Sequence, residues 1–293
     1  MTTHRYLSWY RRGLAALRTE GAMTGANPTV ETTINVTGNA QPVTVTLHGP
    51  GDVAGVTARA IVRRDPPPAA PGADPNAFAF VELSPPDLPW RFSPAPTPGT
   101  QFTAVSPWLV LVVVPAAEPI GPESGATVTV LTTKRGELPD PREAWAWAHV
   151  QVEEPPGGFG SMDVATYVRE HSERATARLL AARRLAPNQR YRACLVPLFK
   201  AGALAGLGKD PQEGGTAFAW DGTAPATTPV MLPVYDSWLI DTGDGDGFET
   251  IARRLHAVDA DDLFAPLQLD VGPAIGATAP VIATTFGVLR PQG

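Results

Sequence analysis

Hydrophobic and polar positions alternate with a period of two along much of this chain. Thr29-Val-Glu-Thr-Thr-Ile-Asn-Val-Thr37 does so, and Val43-Thr-Val-Thr-Leu47 repeats the pattern after Gly38-Asn39, a turn signal. The pair predicts a β-hairpin. Shorter strand patterns follow at Ala58–Arg63, Phe78–Leu83, Thr127–Thr132, Trp145–Val152, Tyr191–Phe199, Val230–Ile240 (broken at Pro233), Leu267–Val271 and Pro280–Leu289. Trp108-Leu-Val-Leu-Val-Val-Val114 is apolar on both faces, which places it in the middle of the fold. In Trp145–Val152 the alternation sets Trp145, Trp147, His149 and Gln151 on one side.

Helical spacing is rarer. Val164, Tyr167, Val168, Ala175, Leu179 and Leu180 predict one long helix over Ser161–Arg184. Asp163 suits its first turn, Arg183 and Arg184 its last, and Pro187 closes it. Tyr6–Thr19 reads as a short helix ended near Gly21, with Gly21–Pro28 as a linker, and Phe248–His256 as another short helix. Strands do not alternate with helices, which speaks against a doubly wound or barrel-type α/β fold. The expectation is a mainly β (α+β) chain, an antiparallel β-sandwich or barrel-like sheet with one long packed helix. Its divisions would be an N-terminal basic-aromatic arm and linker (1–27), a β-rich body (28–256, with a split near 155–190 left open) and a C-terminal tail (257–293).

Composition changes this picture in one place. The 32 prolines and 28 glycines are in excess for 293 residues, and they sit between apolar runs without replacing them. There is no Gly-X-Y period, so collagen is excluded, and the apolar runs exclude wholesale disorder. Residues Asp65–Thr100 are the Pro-rich core of that excess. Proline fixes φ and donates no hydrogen bond, so this stretch should wrap over a sheet, pinned by Phe78, Phe80, Trp90 and Phe92.

No apolar run approaches the 18 residues of a membrane span; the longest, Trp108–Ala117, is interrupted by Pro115. No signal-peptide pattern is expected at the first residues. The net charge of −6 argues against sequence-independent nucleic-acid binding. The lone Cys194 lies in an apolar run, so it reads as a buried small hydrophobe and fits a reducing, cytoplasmic setting.

Chemistry is thinly marked. The five histidines have no zinc spacing. His149 reads as a satisfied, partly buried side chain. Gly158-Phe-Gly-Ser-Met misses the hydrolase elbow, and Gly202–Gly208 lacks the Lys-Ser/Thr of a phosphate loop. The only metal candidates are Asp241, Asp244, Asp246 and Glu249, in a Gly-rich loop that could wrap a hard cation. Asp-Gly-Asp-Gly is also ordinary turn chemistry, with Asp244 or Asp246 as a helix cap, and the turn is the preferred reading. No catalytic residue, cofactor or metal is therefore assigned. The conspicuous feature is a basic-aromatic patch, Arg5, Tyr6, Trp9, Tyr10, Arg11 and Arg12, on an acidic protein. These residue types are enriched at interface hot spots. They are the interface candidates, expected to reach outward and dock on a neighbouring subunit, with folding back onto the chain's own sheet as the alternative.

Several separated blocks form a recognisable set: Tyr6-Leu-Ser-Trp-Tyr-Arg-Arg-Gly-Leu, Leu47-His-Gly-Pro-Gly-Asp-Val-Ala-Gly, Asp87-Leu-Pro-Trp-Arg-Phe-Ser-Pro-Ala, Pro107-Trp-Leu-Val-Leu-Val-Val, Glu143-Ala-Trp-Ala-Trp-Ala-His-Val-Gln, Ala182-Arg-Arg-Leu-Ala-Pro-Asn, Leu204-Ala-Gly-Leu-Gly and Leu232-Pro-Val-Tyr-Asp-Ser-Trp. In that order they resemble an uncharacterised family of bacterial and archaeal proteins associated with gene clusters for phage-tail-like contractile injection particles. Ser8 stands where that pattern has proline. The resemblance implies a non-enzymatic structural or assembly subunit, partnered by other protein subunits in a homo- or hetero-oligomer, cytoplasmic or released with the particle. It supplies no catalytic residues. Two rival classes are a ligand- or carbohydrate-binding module, signalled by exposed tryptophan plus a calcium loop, and an effector enzyme of unrecognised type.

Overall fold

Alternating Val, Leu and Ala with charged or aromatic partners builds several small antiparallel sheets, joined by a few short helices. The computed structural model describes residues 3–17, 23–24, 27–94, 104–245, 266–271, 276 and 278–286. In chain order the strands and helices are β1 (His4–Leu7), β2 (Met23–Thr24), β3 (Asn27–Val36), β4 (Asn39–Thr46), β5 (Ile61–Asp65), β6 (Phe80–Leu83), α1 (Leu88–Arg91), β7 (Leu109–Pro115), β8 (Ile120–Gly121), β9 (Val130–Lys134), β10 (Ala148–Glu153), α2 (Val164–Glu170), β11 (Ala175–Leu180), β12 (Arg190–Pro197), α3 (Lys200–Gly206), β13 (Pro229–Pro233), β14 (Asp236–Asp241), β15 (Pro266–Asp270) and β16 (Ile282–Phe286). The chain divides into two units, 1–245 and 246–293. Within the second, β15 pairs antiparallel with β16.

The first unit holds a five-stranded sheet, β1-β10-β11-β6-β5, and three three-stranded ones, β14-β12-β7, β13-β9-β8 and β2-β3-β4. All named pairs are antiparallel. One face of the five-stranded sheet is apolar on its three inner strands: Val81, Leu83, Val150, Val152, Ala177 and Leu179 are each 1% exposed or less, with Arg5 and Arg64 on the two edge strands. They share one contiguous core with β7, β12 and the indoles of Trp90 and Trp108. Arg64 on β5 forks onto Asp236 on β14 through two 2.8 Å bonds, tying the five-stranded sheet to the sheet of β12.

Neither a closed barrel nor a long helix is present among the described residues. The expected helix over Ser161–Arg184 is instead α2, a turn of 3₁₀ helix at Ser172–Arg174, and then β11. Asp163 caps α2, its carboxylate accepting from Thr166 N at 2.9 Å. Beyond it Ala175, Ala177 and Leu179 point inward while Thr176, Arg178 and Leu180 alternate outward. Two alanines in a period-two pattern supplied enough helix propensity to blur it.

The segment Trp145-Ala-Trp-Ala also departs from expectation. It closes a 3₁₀ helix over Pro141–Trp147, capped by Asp140 and opened by Pro141, and the strand begins only at Ala148. Over its described part, 6–17, the expected helix of Tyr6–Thr19 is replaced: β1 covers its start and a 3₁₀ turn spans Gly13–Leu17. The 108–114 run is buried as expected. It is nonetheless the end strand of its sheet, with β12 in the middle. Its outer edge is covered, since Arg183 Nη1 donates to Val113 O at 3.2 Å. The expected helix at Phe248–His256 lies outside the described residues. The Pro-rich stretch, over its described part 65–94, holds the α1 indole of Trp90 fully buried as expected, but it enters the five-stranded sheet as β6 and leaves Phe78, one of the expected pins, 39% exposed.

Candidate interaction surfaces

The N-terminal patch is largely spent inside the chain. β1 lies along β10, with Tyr6 opposite Gln151 and Leu7 opposite Val150. Tyr10 is 4% exposed and Arg11 7%. The Arg11 guanidinium donates to three carbonyls that end α1: Trp90 O (3.0 Å), Ser93 O (3.1 Å) and Pro94 O (3.2 Å). Burial alone lowers its pKa to about 10, which leaves it charged at neutral pH and well matched to carbonyl oxygens. Arg12 reaches the buried carboxylate of Asp87 at 3.0 Å, which Arg91 also holds at 2.8 Å. Trp9 packs half-buried against the core. Tyr10 and Arg11 are thus corrected from outward-reaching contacts to internal ones. Arg5, Tyr6 and Arg12 remain at the surface, with Arg5 3.8 Å from Glu154.

Tyr6 opens onto the outer face of the five-stranded sheet. Its ring meets His149 edge-on at 5.3 Å. From His149 a straight cross-strand row runs to Arg178, Glu82 and Arg63. Arg178 pairs with Glu82 at 2.5 Å and stacks 4.4 Å over Phe80, while Arg63 lies 5.3 Å over the same ring. His149 Nε2 is buried and has no hydrogen-bond partner, so the expected satisfied histidine is corrected at this nitrogen. Burial first, and the Arg178 charge second, hold its pKa below the ordinary value. The face is polar, ringed by cations and already paired with itself.

The hairpin β3–β4 is different. Its register runs from Thr29 opposite Thr46 to Val36 opposite Asn39. The turn is Thr37-Gly38, both with positive φ (46° and 86°), one residue before the expected Gly38-Asn39. Two positive φ values match the right-handed strand twist. Its base is anchored: Asn27 Nδ2 donates to Leu47 O (3.2 Å) and Asp52 Oδ2 (2.6 Å). Toward the tip, residues 33–42 are all exposed. One face carries Val30, Thr32, Ile34 and Val36 on β3 and Val45, Val43, Gln41 and Asn39 on β4, and of these Ile34 and Val36 are 46% and 56% exposed. From Asn27 to Leu47 the only charge is Glu31. The hairpin itself was legible in the sequence, and so was this lack of charge.

The acidic loop divides. Asp241 is 2.8 Å from Arg190 and Asp244 accepts from Asn188 Nδ2 at 2.9 Å; Asp246 and Glu249 lie outside the described residues. No group of three or more potential metal-ligating side chains occurs among the described residues. Cys194 is fully buried, and burial pushes its thiol up to about 12. Clefts in the first unit are open. One of about 330 Å³ is walled by Val56, Leu88, Phe92 and Trp108 with Arg59 and Arg91 at hand. Another of about 530 Å³ is bordered by Glu153, Glu154 and Arg174, where Arg174 already pairs with Glu153 at 3.0 Å. Neither of these two brings a nucleophile and a base together with an unpaired carboxylate. No helix of the described residues is long and apolar enough to cross a membrane. Comparison with protein-family models, with curated proteins and with solved structures gives no match.

Proposed function

We propose that this chain is a non-enzymatic structural or assembly subunit of a phage-tail-like contractile injection particle, made in the cytoplasm and joined there to other protein subunits. The observation that carries the reading is the β3–β4 hairpin, whose exposed distal half, residues 33–42, bears no charge and exposes Ile34 and Val36. A two-stranded ribbon is at best marginally stable in water and gains stability when a further surface supports it. Long, uncharged strand edges are templates for pairing, and monomeric proteins blunt them with charge or proline. An assembly subunit has reason to keep such an edge. The sequence blocks listed above for the particle-associated family point the same way, independently of the hairpin.

The test is incorporation. Replacing residues 33–42 with Asn-Gly closes the ladder at the Thr32–Val43 pair and removes the exposed half alone. In cells that make the particle, the wild-type chain should sediment with it. The shortened variant should stay folded by circular dichroism and remain in the supernatant. Equal sedimentation of both chains, or a wild-type chain that never sediments, would overturn the proposal.

A further inference from the structure

The two edges of the hairpin are not equivalent. Leu47 N donates to Pro28 O at 2.7 Å, which sets the phase of the β3–β4 ladder. Antiparallel ladders alternate hydrogen-bonded and non-hydrogen-bonded pairs, so Val30, Thr32, Ile34 and Val36 spend their main-chain groups on β4. Thr29, Glu31, Thr33 and Asn35 point theirs to the outer edge of β3. On β4 the outward groups belong to Ala40, Pro42, Thr44 and Thr46. Pro42 has no N–H to offer, and it stands directly opposite Thr33. One edge is therefore interrupted in its centre, and the other is continuous beyond Pro28, where β2 ends its pairing.

We infer that the β3 edge binds the β3 edge of a second copy of this chain, antiparallel about a two-fold axis through Thr33. The inference rests on the assembly reading and names the partner of that site. Three features of the strand select the occupant and the register. First, the hairpin is almost neutral, so two copies meet without the repulsion that their net charge of −6 imposes elsewhere. Second, β2 occupies the edge at Asn27 and Pro28. A partner strand ending at Val36 must stop opposite Val30, which places Thr33 against Thr33 and is the longest two-fold overlap that clears β2. Third, that register satisfies the side chains. Glu31 meets Asn35 of the copy, able to accept from its amide, while Glu31 never faces itself. Thr33 meets Thr33, and on the apolar face Val30 meets Val36 and Thr32 meets Ile34. Threonine pairs and β-branched pairs are favourable cross-strand neighbours. The same strand meets itself at every position, as an isologous contact requires.

The experiment uses the full chain. Wild-type protein in sedimentation equilibrium should show a species of twice the chain mass. Thr33→Pro removes only an outward N–H and should give the single-chain mass with an unchanged circular dichroism spectrum. Register is read by cysteine trapping, which the buried Cys194 leaves clean. Two Thr33→Cys chains would sit about 5.5 Å apart at Cα, within disulfide reach, and should cross-link fully under mild oxidant. Asn35→Cys faces Glu31 of the copy, with its twin four residues along the strand, and should not cross-link. A wild-type chain of single mass at every concentration, a Thr33→Pro chain that still doubles, or Asn35→Cys trapping in preference to Thr33→Cys each overturns the inference. The trapping pair decides the matter even if Thr33→Pro fails to fold. A single-mass wild-type chain that still sediments with particles through its hairpin would sink self-pairing and leave the assembly reading standing.

Discussion

Trp90 and Trp108 clasp each other's segments. The Trp90 indole donates to Val105 O at 3.0 Å, and the Trp108 indole donates to Leu88 O at 2.7 Å. Both rings are fully buried. This exchange is how the segment after β6, which has no ladder of its own, is fixed to the core, since each large ring contributes apolar area and donates to one carbonyl. Trp108→Phe keeps most of the area and removes the buried indole hydrogen bond to Leu88 O. It should destabilise the first unit by about 2 kcal/mol, seen as a lower urea midpoint with the native circular dichroism spectrum retained.

Arg11 closes the same region from the N-terminal side. Its loss removes three buried hydrogen bonds around the end of α1. Arg11→Ala should cost about 3 kcal/mol, the range for hydrogen bonds to a charged donor. Arg12→Ala should cost about 1 kcal/mol, because its head is partly exposed and Arg91 still holds Asp87. Chemical denaturation of the two variants side by side checks the order. Equal costs would mean that the buried guanidinium is not what fastens the segment. Deleting residues 1–12 should likewise lower stability, where a free arm would leave it unchanged.

The location of such elements was unevenly legible in the sequence. The hairpin, the 108–114 strand and the buried Cys194 follow from clean patterns, because alternation and unbroken apolar runs have few other readings. Ala175–Leu180 did not: Ala177 fits a strand only because it meets Leu83 across β6, a tertiary fact that propensity does not contain. The arm was misjudged for a related reason. Arg11 carries a charge, and only the carbonyls of Trp90, Ser93 and Pro94, distant in sequence, make an interior place for it. Pro42 could be read from the sequence as an edge marker, but its phase relative to Thr33 needs the register.

Cys194 offers a reporter of global unfolding. Its thiol is fully buried and burial pushes its pKa to about 12. Thiolate is the reactive form, so a thiol reagent at pH 8 should leave the native chain unlabelled over hours and label it within minutes in 6 M guanidinium. Rapid labelling of the native protein would contradict the burial.

His149 should make stability depend on pH in one direction. Its folded pKa is held below the unfolded value by burial and by Arg178, so the unfolded chain binds the proton more readily. Stability then rises with pH wherever that difference acts. It is fully present above the unfolded pKa, near 6.5, and is lost as pH falls through and below that value. His149→Gln should flatten the urea midpoint between pH 5 and 7.5. An unchanged slope would assign the dependence to other groups.

Amide hydrogen exchange, read residue by residue along β3, tests the open edge directly. In dilute single chains the outward amides of Glu31, Thr33 and Asn35 should exchange quickly, while those of Thr32 and Ile34, bonded to β4, are protected. On assembly the three outward amides should become protected together, and the outward amides of Ala40 and Thr44, flanking Pro42, should not. Outward β3 amides that exchange as fast in the assembled protein as in the single chain would contradict pairing through this edge.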